Sequence, residues 1–306
     1  MRVRAVLTES PAHAPAWLAY GDALVALERY PEACEAYARA GECDPARGTV
    51  EEATAALAAG DRQRAEQIYR EVLAVDGAQI GALCGLALLA LQADRPADAK
   101  RLLDHAQRQS PHVPVVWRTR AQVLIALGQL EEASAAGRYL VTIEPESAQS
   151  WITLAAAAAR ALRQEEALLA YERAATLRPD EVRLQTSLGH VHKALGHRAK
   201  SEAAYHAALA LKQDDAEAWW SLADLKNYRF TEAERGTLAR LLASPSPGDG
   251  EAQLAFAYGK ALEQSGEMAA AFRSYARGNA RRRRDAPFDI EGFEARCERI
   301  RATFDA

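Results

Sequence analysis

Apolar and small residues return along the chain in blocks of about thirty, and each block divides into two segments with helical spacing. The blocks AWLAYGDALVALERYPEACEAYARAGECDP (16–45), VWRTRAQVLIALGQLEEASAAGRYLVTIEP (116–145) and SWITLAAAAARALRQEEALLAYERAATLRP (150–179) share one layout. A Trp stands near the start (Trp17, Trp117, Trp151), and a small residue follows four positions later (Gly21, Ala121, Ala155). After a turn comes a second small residue (Ala33, Ala133, Ala167), and a Pro closes the block (Pro45, Pro145, Pro179). Ala65, Ala99, Ala133, Ala167 and Ser201 recur every 34 residues, and the first step, Ala33 to Ala65, is 32. An apolar period near 3.6 inside each segment predicts paired amphipathic helices.

A 34-residue period with Trp, Gly, Ala and Pro at these places resembles the tetratricopeptide repeat. The resemblance implies an all-α fold, a right-handed α-solenoid of helix-turn-helix repeats. The Trp is expected as a knob between the paired helices, and the Gly and Ala slots as points of close approach. One pair cannot bury its own apolar face, so neighbours must stack. Units are expected near 14–45, 46–79, 80–113, 114–147, 148–181 and 182–215, within an array spanning 14–230 that ends in the first helix of a seventh. Residues 1–13 read as the remnant of a preceding repeat helix, so the chain is expected to open inside a repeat. An irregular helix and loop follow over 231–250, where Thr231 and Glu234 form a capping box and SPSPGDG marks a loop. A last pair is expected over 251–285 and a C-terminal capping helix over 286–306, whose Phe293, Cys297, Ile300 and Phe304 should dock.

The remaining features narrow the function. The 306 residues carry a net charge of -4, so the chain as a whole is not built to coat nucleic acid. The four cysteines make no CxxC pair, and no window approaches a signal peptide or membrane span. This composition predicts a cytoplasmic protein. G-x-S-x-G, GxxxxGK[ST], GxGxxG and HExxH are missing from the sequence, so the chain is not expected to be an enzyme or to need a cofactor. His190, His192, His197 and His206 crowd one repeat, but none are three or four apart on one helix, and no metal is expected.

Residues one and five places after each Trp slot should line the concave groove. They include Leu88, Arg118, Gln122, His190, Trp220 and Asp224. Thr119, Thr153, Ser187 and Ser221 form a second row that could bond an extended peptide backbone, or could simply fill a slot that admits only small side chains. Arg183 and Lys193 add cations, and Asn227 follows the seventh first helix. Trp220 directly follows the structural Trp219, and it either anchors a partner or packs on the helix over 231–242.

The segments LADLKNYRF (222–230) and FAYGKALE…AFRSYARGNA (256–280) resemble the repeat region of bacterial proteins that carry a C-terminal sulfotransferase domain. That resemblance implies a non-catalytic scaffold recruiting a substrate or partner for an attached PAPS-dependent transferase. No position matches the family's PRSGTT-like loop, so no catalytic residue carries over. The alternative is a freestanding cytoplasmic adaptor binding an extended peptide in its groove. The expected partners are a protein or peptide in that groove and a sulfotransferase domain of the same parent chain; neither a membrane nor nucleic acid is expected. Arg281 to Arg284 read first as the solvated end of a helix, then as a docking point for a following domain, and last as a nucleic-acid patch.

Overall fold

The computed structural model describes residues 2–44, 47–244, 250–285 and 289–304. The closing Pro45, loop residues 245–249 and Pro287 lie outside these ranges. Among the described residues there are eighteen α-helices and no strand. They group into two compact units, Met1–Pro179 and Asp180–Ala306.

The first unit holds α1 (Arg2–Glu9), α2 (Ala14–Ala26), α3 (Tyr30–Glu42), α4 (Arg47–Ala58), α5 (Arg62–Val75) and α6 (Ile80–Gln92). It continues through α7 (Pro96–Gln109), α8 (Pro114–Ala126), α9 (Leu130–Ile143), α10 (Ala148–Arg160) and α11 (Gln164–Leu177). From α2 onward the helices pack as pairs, α2 on α3 through α10 on α11. Pro15, Pro31, Pro96 and Pro114 sit in first turns, where the missing N–H costs nothing. Asp61 and Ser147 cap α5 and α10 by accepting from Arg64 N and Ser150 N.

Ala33, Ala65, Ala99, Ala133 and Ala167 have 0% exposure, which is why the slot takes only small side chains. The turn inside each pair is built on one residue with positive φ. Gly60, Gly128 and Gly196 take it at 86°, 72° and 75°; Glu28, Asp94 and Leu162 take it at 57°, 56° and 59°.

The tryptophans are not the buried knobs that the repeat pattern suggests. Trp17, Trp117 and Trp151 are half-exposed, and each donates Nε1–H to the carbonyl six residues earlier, on Pro11, Pro111 and Pro145, at 2.7 Å. Trp219 does the same to Gln213 at 2.8 Å but is buried. Each ring therefore latches the loop that leads into its own helix. Tyrosines of the second helices take the interior: Tyr69 and Tyr205 head the fully buried large side chains.

The second unit holds α12 (Val182–Ala194), α13 (Arg198–Leu211), α14 (Ala216–Ala223), α15 (Glu232–Ala243), α16 (Glu251–Gln264), α17 (Met268–Asp285) and α18 (Ile290–Phe304). In the register of the small second-helix slot, Ser201 is fully buried and bonds Gly189 O at 2.8 Å. The LADLKNYRF segment is a packed turn. It ends α14 after eight residues, with Asn227 at φ 66°. Tyr228 is buried, and Phe230 stands edge-on to it at 5.0 Å. Gln264 clamps both, donating to Tyr228 O at 2.8 Å and accepting from Phe230 N at 3.0 Å. The Thr231–Glu234 capping box then starts α15 as expected. Both α14 and α15 pack on α16, around Tyr205, Trp219, Leu222, Leu238 and Leu254.

The expected docking of the last helix is not what the structure shows: α18 has no buried residue. α17 packs antiparallel on α16, yet its last turn overhangs. Arg277 and Arg281 already pair with Glu251, the first residue of α16, at 2.7 and 3.5 Å. α18 therefore begins beyond the packed layer.

Candidate partner-binding faces

In the second unit, Arg183, Ser187 and His190 lie on one stripe of α12 at i, i+4 and i+7 spacing, and Lys193 continues it. Arg183, His190 and Lys193 are exposed, and Ser187 is half-buried. The neighbouring stripe of α14 shows Glu217, Trp220 and Asp224 to solvent. Two polar contacts join the stripes. His190 Nε2 stands 3.2 Å from Glu217, and Lys193 pairs with Asp224. His190 Nδ1 also meets the Tyr205 hydroxyl at 2.9 Å, which fixes the imidazole ring. Arg183 has no charged partner among the described residues. Asn227 is exposed just past the end of α14, and its carbonyl accepts from Arg198 at 3.0 Å.

Trp220 is 39% exposed. Its ring partner is Phe256 of α16, with ring centroids 5.6 Å apart at 56°. The pair forms an aromatic ledge beside the polar contacts of α12 and α14. Aromatic pairs of this tilted kind add about 0.5–1.5 kcal/mol beyond burial, so the ledge is a fixed surface.

The hydroxyl row is mostly interior. Thr119, Thr153 and Ser221 are 4–5% exposed, and Thr153 donates to Gln149 O at 2.8 Å. Only Ser187 of the four reaches the surface. Side chains this deep fill the layer between helices, and a peptide backbone has no access to them.

In the first unit the corresponding face is closed from within. Leu18 and Tyr37, from α2 and α3, pack onto the cluster of Leu83, Cys84, Ala87 and Val116. α3 also touches α9. Leu88 is half-buried, and burial pushes the Cys84 thiol up to about 11. Arg118 is occupied by Glu144 at 2.8 Å, and Ser150 donates to the same carboxylate at 2.5 Å. Gln122 is exposed. These residues offer an incoming anion no open cation on α8, because Arg120 is likewise paired, with Asp104 at 2.7 Å.

Family models of the tetratricopeptide repeat match this chain in both units. One matches residues 56–123 and 90–138, and another matches 2–47 and 186–249. The chain is a tetratricopeptide-repeat protein. Solved structures with this fold extend the likeness. A tetratricopeptide repeat protein from Parabacteroides merdae ATCC 43184 is 15% identical with a TM-score of 0.54, covering 81% of this chain and 95% of that one. Pseudomonas aeruginosa pilF is 14% identical with a TM-score of 0.52, covering 82% and 96%. The Cut9–Hcn1 hetero-tetramer of the APC/C is 15% identical with a TM-score of 0.51, covering 71% and 43%. At these identities the likeness concerns the fold alone. No curated protein matches the chain.

Tetratricopeptide proteins bind protein partners. No described helix is long and apolar enough to cross a membrane. Sequence reading missed Phe256, because it meets Trp220 across 36 positions and an inserted helix. It also placed LADLKNYRF as a family hallmark, and the structure gives that segment a packing role in this tetratricopeptide array.

Proposed function

We propose that the chain is a non-catalytic scaffold that holds an extended peptide on the α12–α14 face of its second unit. The observation that carries this reading is the exposed Trp220, tilted against Phe256 beside the His190–Glu217 and Lys193–Asp224 contacts. A large apolar side chain of the peptide would lie on the ledge, where rigid aromatics lose little entropy on binding. Arg183 would take a carboxylate nearby, because it is the stripe's cation without a charged partner among the described residues. The His190–Glu217 and Lys193–Asp224 contacts hold the stripes in register, in support of an already formed groove.

The resemblance of LADLKNYRF and FAYGKALE…AFRSYARGNA to the repeat region of sulfotransferases supports a narrower role, recruiting a substrate or partner for an attached transferase. Two measurements test the proposal. Affinity capture with the wild type and with Trp220→Ala should differ, and identical partner sets would reject the ledge. The reading frame downstream of Ala306 should encode a PRSGTT-like loop, and a frame without one would reject the transferase role while leaving the ledge intact.

A further inference from the structure

We propose that α18 forms an antiparallel two-helix seam with α18 of a second copy of this chain. The helix runs from Ile290 to Phe304, 15 residues with none buried. A helix of that length is marginal on its own in water and gains most of its stability by packing an apolar side. Ile290, Phe293, Cys297, Ile300 and Phe304 follow one another at steps of three, four, three and four residues. That is the a/d repeat of a coiled coil, a narrower stripe than a helix lays on a globular core. The stripe is exposed along its length: Ile290 57%, Phe293 50%, Ile300 53% and Phe304 85%, with Cys297 exposed between them.

Charge on the flanks of the stripe selects the partner. Glu291, Glu294 and Glu298 balance Arg296, Arg299 and Arg301, so α18 has no excess of cations to draw it to an anionic lipid surface. In the heptad, Asp289 and Arg296 stand at g, and Glu294 and Arg301 stand at e. A parallel partner would set Asp289 against the partner's Glu294 and Arg296 against the partner's Arg301, like charges on both flanks. An antiparallel partner joins e to e and g to g. With Cys297 against the partner's Ile300, and Phe293 against the partner's Phe304, Glu294 faces the partner's Arg301. Two-fold symmetry makes that contact twice. Arg296 then faces the neutral side chain of the partner's Thr303. Sliding the helices by one heptad brings like charges together again, Glu294 on the partner's Glu294 or Arg301 on the partner's Arg301. Charge therefore singles out one orientation and one register. Two heptads make a weak seam, so the dimer depends on protein concentration.

Sedimentation equilibrium on the full chain tests this. The wild type should dimerise as concentration rises. Ile300→Asp, which puts a charge in the seam, should raise the dissociation constant at least about tenfold. Glu294→Arg and Arg301→Glu each turn two attractive contacts into two repulsive ones, and each should weaken the dimer about tenfold. Mixed one to one, these two charge variants face each other with opposite charges at both contacts, and they should pair within about threefold of wild-type affinity. All three sites are exposed, so the circular dichroism of each monomer should match the wild type. A wild type that stays monomeric at about 1 mM would overturn the proposal. So would a dimer indifferent to Ile300→Asp, a tighter dimer in either charge variant (the parallel result), or a mixture that associates no better than its parts. Binding of the wild type to phosphatidylglycerol vesicles without dimerisation would assign the seam to a lipid surface and overturn it equally.

Discussion

The ring of Tyr205 fills the space that a side chain on Gly189 would need. A Cβ at Gly189 would stand 2.3 Å from Tyr205 Cε1, and the ring cannot swing aside because its hydroxyl is held by His190 at 2.9 Å. Gly21 meets Tyr37, Gly85 meets Tyr69 and Gly259 meets Tyr275 in the same manner, at 2.3–2.5 Å. Gly189→Ala is therefore expected to cost about 1–2 kcal/mol net, overpacking outweighing the gain in helix propensity. Gly236 in α15 has nothing within 4 Å of its would-be Cβ. Gly236→Ala should stabilise by about 1 kcal/mol. Urea midpoints of the two variants must move in opposite directions; movement in the same direction would refute the account.

Leu162 carries a left-handed backbone (φ 59°) with 82% of its side chain exposed. Strain of about 1–2 kcal/mol at such a residue exceeds the entropic cost of glycine, about 0.5–1 kcal/mol. Leu162→Gly should raise stability by about 0.5–1 kcal/mol by chemical denaturation. A loss would mean that the turn is not strained.

Trp151→Phe keeps the apolar ring and deletes the N–H that reaches Pro145 O. The expected loss is about 1 kcal/mol, the net worth of one hydrogen bond. A variant indistinguishable from wild type in thermal unfolding would show that the latch is decorative.

Tyr275 donates to Glu263 at 2.8 Å. That bond, with Lys260 adding to it, holds Glu263 below the ordinary carboxylate range. Burial first, and then Glu263, push the Tyr275 phenol up. A lowered carboxylate contributes stability above its unfolded pKa, about 4.3, and loses it as pH falls. A raised phenol contributes stability that fades as pH climbs past about 10, where the unfolded chain releases the proton. The melting-temperature advantage of wild type over Tyr275→Phe should therefore peak between about pH 5 and 9 and shrink on either side. A difference that stays constant across pH would contradict the pairing.

Cys84 is buried with a raised pKa, whereas Cys297 is exposed. A thiol reagent should label Cys297 in the native protein and Cys84 only after unfolding, as read by peptide mass. Fast native labelling of Cys84 would show that α2 and α3 do not cover it.

The repeat was legible because its landmarks answer to local packing. Ala33, Ala65 and Ala99 are small since a second helix crosses there, and that reason repeats with the period. The turn inside each pair returns at the same period, with positive φ at 60, 94, 128, 162 and 196, but glycine fills only every second place, since Asp94 and Leu162 stand between Gly60, Gly128 and Gly196. The hydroxyls of Thr119, Thr153 and Ser221 fill the packed layer, the second of the two readings their spacing allows, since sequence spacing cannot separate a groove position from the packed position beside it. The cover that Leu18 and Tyr37 lay over Cys84, and the meeting of Trp220 with Phe256, depend on contacts between elements distant in sequence. Periodicity is silent about those.

The Trp latches at Trp17, Trp117, Trp151 and Trp219 are not evenly distributed, because Thr49 and Leu83 stand in the same slot at the heads of α4 and α6. In a one-dimensional array each joint carries its own nearest-neighbour coupling. Joints without a latch are the weak links of the string. Pulled from its ends, or watched by amide exchange, the first unit should open first at α4 and α6, while the Trp-bearing joints behave as knots that slip last.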